Sequence, residues 1–357
     1  MGNQASKAAA EKKRRHRRST LTTQSHMSQG NYNWLEENEH TALSAGAISE
    51  AMAAAAVSSV PQEPPRRKSI TEFFTKRKQA VDFREYDRLQ RQHYLLKSAR
   101  KANIWSPIDP DAVPGGMTIV DIGTGNGIWA LEMAQRHLTS HIIGIDLKNP
   151  PDHAARPKNL NYVQADIHQY PWPLEDASVD FIFQRNMSTE IQRNQWLPLF
   201  REMLRVLKPG GHIEILEPDP APHNPGPVQQ AFDGFLRTQW SDNGYDYLFA
   251  SSIEDQLSQV GFEEIDIRTL DIPIGEWPDE SELKQFGFIN KETQKAYFKN
   301  RKQEFSSQWG IASEDYDQAV QEIMEEFDDY HGFSRYHCWM ALKPATTQQQ
   351  QQASATS

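Results

Sequence analysis

The feature that most constrains this chain is a glycine loop wedged between an apolar run and a helical pattern. It reads Val120-Asp121-Ile122-Gly123-Thr124-Gly125-Asn126-Gly127-Ile128-Trp129. Thr118–Ile122 is short and apolar enough for a buried strand, and Ile128, Leu131, Ala134 and Leu138 then recur at helical spacing. The alternation continues through runs at His141–Leu147, Asn161–Ala165 and Val179–Phe183. A helix face follows, carrying Trp196, Leu197, Phe200, Met203, Leu204 and Leu207 and stopped by Pro209-Gly210-Gly211, and His212–Leu216 is the next strand. Strands alternating with helices through short connections predict an α/β fold, a mostly parallel sheet with helices on both faces.

Later elements are less regular. A helix near Ser252–Val260 leads to a strand at Glu263–Leu270, and Tyr336–Leu342 reads as the last strand. Between them, residues 271–335 read as a cap insertion with one helix, whose apolar face holds Tyr316, Ala319, Val320, Ile323, Phe327 and Tyr330. Its other face carries Glu322, Glu325, Glu326 and Asp329, expected to be a solvated acidic side rather than a wall selecting a cationic substrate.

Charge divides the chain. Residues 1–80 hold 13 Lys+Arg against 7 Asp+Glu, which leaves 25 against 41 beyond them, so a basic arm precedes an acidic body. An acidic body is a poor reader of nucleic-acid sequence. The arm lacks a sustained apolar period and is expected to be disordered, as is the Gln-rich tail 344–357, which leaves 81–343 as the folded domain. One cysteine, Cys338, excludes an internal disulfide and a cysteine-rich zinc module. His137 and His141 straddle a helix end and a strand, so no metal site is expected.

The loop's chemistry is selective. A dinucleotide fingerprint wants a third glycine where this chain has Ile128, and a pyrophosphate would not welcome Asp121. A ligand amino group would. Asp146 ends the second strand, where a carboxylate can accept ribose hydroxyls, and Asp166 and Gln184 end the third and fourth. A lone Asp166 reads as a helix cap, but four polar positions converging on one sheet edge point to a ligand.

These pieces resemble the class I S-adenosylmethionine-dependent methyltransferases: VDIGTGNG at 120–127, GIDL at 144–147, QADI at 164–167, DFIFQR at 180–185 and LKPGG at 207–211. The resemblance implies a Rossmann-like seven-stranded sheet with its last strand antiparallel, and S-adenosylmethionine as cofactor. It implies that Asp121, Gly123 and Gly125 hold the methionine moiety, Asp146 the ribose, Asp166 and Ile167 the adenine, and Gln184 the methionine end. Thr124, Gly127 and Leu147 would also contact the cofactor. Glu85–Leu95, the GTGNGIWALEMA stretch and Ile272–Trp277 are similar to the fungal LaeA-like methyltransferases, from whose common loop Asn126 departs. That subgroup includes nuclear regulators, so a regulatory protein acting through partners stands as the alternative to an enzyme.

Methyl transfer needs alignment more than acid–base chemistry, so no catalytic residue is obligatory. Candidates for a base are Glu217, Asp219 and His223, although a Pro-rich turn favours such residues anyway. Tyr94 either lies over the cofactor as a lid or packs. The acceptor is expected to be a small molecule or a protein.

The first residues, Met1-Gly2-Asn3-Gln4-Ala5-Ser6-Lys7, match the N-myristoylation pattern, with Gly2 as the acylated residue. The basic run Lys12–Arg18 supplies a second signal for an anionic membrane surface. A cytoplasmic protein held at a membrane is therefore expected; the competing reading of the run is a nuclear signal. Phosphate at Ser19 or Thr20 would weaken the membrane contact by charge.

Overall fold

The computed structural model describes residues 70–150 and 156–345, with side chains from Phe83 onward. Gly2, the Lys12–Arg18 run, Ser19, Thr20 and residues 346–357 of the tail lie outside the described residues.

The first element, α1 (Ile70–Arg100), starts well before the boundary expected at residue 81. The stretch Lys76-Arg77-Lys78-Gln79-Ala80 is made of good helix formers and has no apolar period, so propensity rather than pattern carries that turn. Then come β1 (Thr118–Ile122), α2 (Ile128–Arg136), β2 (His141–Asp146), β3 (Leu160–Gln164), β4 (Val179–Arg185), α3 (Trp196–Val206) and β5 (Leu207–Pro218). Leu207 therefore opens a strand, paired with Val179, instead of closing the helix, and Leu138 lies past the end of α2 and is 75% exposed. The chain continues through α4 (Pro227–Asp242), α5 (Ile253–Val260), β6 (Glu263–Pro273), α6 (Ser281–Asn300), α7 (Lys302–Trp309), α8 (Ser313–Asp329) and β7 (Phe333–Leu342).

The seven strands lie in the order β3-β2-β1-β4-β5-β7-β6. β1 to β5 are parallel, and β7 runs antiparallel between β5 and β6. Period-two alternation sends Val120, Ile122, Ile182 and Ile215 to one face, against Trp196, Phe200 and Met203 of α3 and Ile253 and Leu257 of α5. Ile119, Phe181 and Phe183 face the other way onto α2, where Trp129 stacks on Phe183 at 4.1 Å. On that face α1 buries Leu95 and Leu96 against Leu216, Tyr336 and Met340.

The cap insertion has three helices where one was expected. The face that α6 buries carries Gly287, Asn290 and Thr293, too small and polar to register as an apolar stripe. Asn290 Nδ2 donates to the carbonyls of Ile272 and Pro273, and a Cβ on Gly287 would sit 1.8 Å from the Gly275 carbonyl oxygen. Close backbone approach and side-chain hydrogen bonds dock the middle of this helix, with Phe286, Ile289 and Phe298 adding apolar contacts. Helix α4, also unanticipated, contributes Phe232 to a separate core with Phe298, Phe305, Tyr316, Ile323 and Phe327. Two residues of the last cap helix's expected pattern are reassigned. Tyr330 is exposed, while Glu326 is buried and accepts the backbone N–H groups of Val228 (2.9 Å) and Gln229 (2.8 Å) at the start of α4. A carboxylate there meets otherwise unpaired donors and the positive end of the helix.

Candidate active site

The C-terminal ends of β1 to β4 open into a cavity of about 570 Å³, bounded by α1 on one side and by α4 and the cap on the other. At its floor the glycine loop turns with Gly123 at φ 66° and Gly127 at φ 75°. A Cβ at Gly123 would meet Met187 Sδ at 2.1 Å, and one at Gly127 would meet Tyr162 Oη at 2.5 Å. Both positions therefore combine a left-handed backbone with neighbours too close for a side chain. The amides of Gly123 and Thr124 donate to the Ile145 carbonyl, which ties the loop to the end of β2.

Asp121 is buried at the cavity wall and accepts a hydrogen bond from Thr124 Oγ1 at 2.7 Å. Burial pushes its carboxyl up to about 7, against the lowering effect of Thr124 and of the Arg185 charge. Asp146 Oδ2 accepts the Gly125 N–H (2.9 Å) and its Oδ1 the Lys148 N–H (3.1 Å), so the acid at the end of β2 also shapes the loop beside it. Leu147 lines the cavity and is exposed. Asp166 accepts the His168 N–H (2.9 Å) and Gln169 Nε2 (3.3 Å), the local turn expected of a lone acid, and it lines the cavity together with Ile167.

Asp121, Gly123, Thr124, Gly125, Asp146, Leu147, Asp166 and Ile167 thus share one cavity. Gly127 and Gln184 do not line it. Gln184 is fully buried, and its Nε2 donates to Glu217 Oε1 at 3.3 Å. The register explains this: Asp121 lies beside Phe183 and Ile122 beside Gln184, so Gln184 points to the opposite face from Asp121. Arg185 shares the Asp121 face and does line the cavity.

The three base candidates separate. Glu217 is buried away from the cavity, its oxygens taken by the N–H groups of Met187 and Ser188, both at 2.9 Å. Burial pushes it up to about 7, and its work is to hold the loop after β4. Asp219 lines the cavity. Burial opposes its ionisation, but hydrogen bonds from His223 Nε2 (3.1 Å) and the Ala221 N–H, with His337 Nε2 3.7 Å away, outweigh that and hold its carboxyl well below the usual range. His223 stacks on Phe333 behind it, at 4.7 Å. Tyr94 does not line the cavity; α1 presents Glu85, Arg88, Leu89 and Gln92 instead.

The order β3-β2-β1-β4-β5-β7-β6, with β7 alone reversed among β1, β4, β5 and β7, sets these acids at one edge, and a methyltransferase-domain model matches residues 119–211, the span that holds the loop and all three acids. Residues 119–211 are a methyltransferase domain.

This methyltransferase domain has relatives among fungal proteins. The methyltransferase pytC of Aspergillus terreus is 31% identical over 216 residues, covering 58% of this chain and 64% of that protein. This chain therefore spans just under two thirds of the length of that relative. The protein-methionine methyltransferase laeA of Emericella nidulans is 26% identical over 283 residues, or 74% of this chain and 71% of that one. Among solved structures, a Haemonchus contortus phosphoethanolamine N-methyltransferase aligns at 20% identity and TM-score 0.42, over 79% of this chain and 61% of that one.

Residues the sequence did not single out complete the wall of the cavity. Arg185, Asn186 and Met187 come from the end of β4 and the turn after it, and Arg88 and Gln92 from α1. Phe232 and Trp240 of α4, Tyr297 and Phe298 of α6, and Phe333 of β7 form an aromatic chamber beyond Asp219. Strand alternation would have found Arg185. The chamber needs the tertiary fold.

Proposed function

We propose that this protein transfers a methyl group from S-adenosylmethionine to a small, largely apolar acceptor carrying a hydroxyl or amine. The observation behind this reading is that the acids at the ends of β1, β2 and β3 and the aromatic chamber belong to one cavity. Its volume falls in the range of small-molecule sites, roughly 300–1,000 Å³. Its chemistry fits the cofactor: Asp121 for an ammonium, Asp146 for ribose hydroxyls, and the Ile167 segment for an apolar base edge. When bound, the cofactor supplies an electrophilic methyl on sulfur.

The chain's own work is alignment and exclusion of water. The aromatic walls of α4 and α6 hold the acceptor's apolar body, and Asp219, kept ionised by its histidines, accepts a hydrogen bond from the attacking hydroxyl or amine. Such positioning is worth several orders of magnitude in rate. A carboxylate held so far below the usual range is a weak base, so Asp219 orients the nucleophile more than it deprotonates it. The acids of the last cap helix, Glu322, Glu325, Glu326 and Asp329, do not line the cavity, which argues against selection of a cationic acceptor.

The test is incubation of the full chain with methyl-labelled S-adenosylmethionine and a panel of aromatic phenols and amines, followed by separation of protein from small molecules. Label in the small-molecule fraction that falls on Phe298→Ala supports the reading. The Emericella relative is named for protein methionine, so label on protein alone would overturn it.

We also propose, on the joint presence of Gly2, Ser6 and the Lys12–Arg18 run, that the protein is held at an anionic membrane surface. Gly2→Ala should release it from phosphatidylserine-containing membranes. Unchanged partitioning together with nuclear accumulation would support the import signal instead.

A further inference from the structure

Three guanidinium groups line the cavity, and they are not equivalent. Arg88 has a carboxylate partner, with Nη2 2.7 Å from Glu85 Oε1, and Arg301 Nη1 lies 3.8 Å from the same oxygen. Arg185 has none: among the described residues no carboxylate oxygen stands within 4.0 Å of it. Its partner is the ring of His93, with Arg185 Nη1 3.3 Å from His93 Nδ1. A guanidinium can only donate, so Nδ1 is the acceptor and the ring proton sits on Nε2, which lies 3.1 Å from Glu132 Oε2. Burial, against the pull of Glu132, lowers His93 to about 4 and leaves the ring neutral. Arg185 itself, brought down to about 10 by burial, stays protonated.

Arg185 is half-buried at the cavity wall; a guanidinium partly withdrawn from water without an anionic partner is costly, and a protein retains one where an anion completes the pair. The neighbouring strand end presents the converse, Asp121, a buried acid with no cationic side chain within ion-pairing distance among the described residues. The two lie on the same face of the sheet at the same cavity wall. One acid and one guanidinium side by side are complementary to the two charged groups of an α-amino acid.

Resting on the cofactor reading above, we infer that Arg185 is the anchor for the α-carboxylate of the cofactor's amino acid end, with Asp121 taking the ammonium. The guanidinium fork suits two parallel hydrogen bonds to a carboxylate, which a lysine could not reproduce. The His93–Glu132 pair acts behind it as positioning residues, fixing the tautomer that holds the fork in place.

Calorimetry with three probes decides this. S-adenosylhomocysteine carries both charged groups, decarboxylated S-adenosylmethionine keeps the ammonium and lacks the carboxylate, and 5′-methylthioadenosine lacks both. Arg185→Met should weaken S-adenosylhomocysteine binding about 10- to 100-fold, the scale of a charge-assisted hydrogen-bonded pair, and leave the decarboxylated probe within about threefold. Asp121→Asn should weaken both of those probes and spare 5′-methylthioadenosine. Equal losses for all three probes in Arg185→Met, or no loss for S-adenosylhomocysteine, would overturn the assignment. If Arg185→Met does not fold, Arg185→Lys decides, because the same selective loss, smaller in size, is expected from keeping the charge and losing the fork. Wild-type protein that binds none of the probes would sink the cofactor reading itself, and this inference with it.

Discussion

Glu214, in the middle of β5, forms a fully buried ion pair with Arg100 in the last turn of α1. The second oxygen of Glu214 accepts the N–H groups of Trp105 and Ser106, each at 2.7 Å, and the Ser106 hydroxyl at 3.0 Å. Arg100 also lies 4.6 Å over the Trp105 ring and donates to the Asn103 carbonyl. This knot fastens α1 to the sheet and so sets Arg88 and Gln92 at the cavity. Glu214→Ala leaves a buried guanidinium and three donors without partners, and should lower the unfolding free energy by about 3–5 kcal/mol. Urea unfolding followed by tryptophan fluorescence measures it.

Gly123→Ala should separate cofactor binding from folding. The new Cβ would displace Met187 and strain a backbone at φ 66°, a cost on the order of 1–3 kcal/mol. The larger effect is expected on the loop's shape. S-adenosylhomocysteine should raise the melting temperature of the wild type and leave that of the variant nearly unchanged.

The pH dependence of binding follows from Asp121. Its folded value, about 7, lies above the ordinary 3.8, so the empty folded state takes up a proton that the unfolded chain does not. Asp121 therefore contributes stability that is present below about pH 4 and lost as pH rises through 7. Glu217, also pushed up to about 7, has the same sign, while His93, lowered to about 4, works the other way between about 4 and 6.5. Comparison with Asp121→Asn isolates the first term. Because the ligand's ammonium favours the ionised acid, S-adenosylhomocysteine should bind roughly tenfold less tightly at pH 6 than at pH 7.5 or above. In Asp121→Asn that slope should vanish.

Glu326→Ala removes the carboxylate that caps α4 from within the cap. Two charge-assisted hydrogen bonds are lost, worth about 1.5–3 kcal/mol each at most. Amide exchange should accelerate at Val228 and Gln229 and leave β1 to β4 unchanged.

The parallel half of this fold was legible because its rules are local. Buried strands at 118–122 and 179–183 read as short, mostly apolar runs, each interrupted by one aspartate, and the loop between β1 and α2 carries its glycines in sequence. That Asp121, Asp146 and Asp166 meet at one cavity was legible for the same reason, since each acid lies at the end of a strand. What escaped depends on facing. Gln184 and Arg185 are neighbours in sequence and differ only in the side of the sheet they take, which the register with Asp121 and Ile122 decides. Helix α6 escaped because Gly287, Asn290 and Thr293 interrupt its buried face, leaving Phe286, Ile289 and Phe298 too sparse a stripe for periodicity to detect. Glu326 looked solvated because its partners are two backbone amides about a hundred residues away in the chain.

The place of β7 between β5 and β6 has a consequence for the chain as it leaves the ribosome. β6 pairs only with β7, so its eleven residues have no ladder to join until Phe333–Leu342 has been synthesised. The pairings among β1 to β5 need nothing that comes later. The glycine loop and its acids can therefore come together first, while the edge of β5 waits. The aromatic chamber, walled in part by the helices between the last two strands, settles only when a strand made at the far end of the domain slides into the gap.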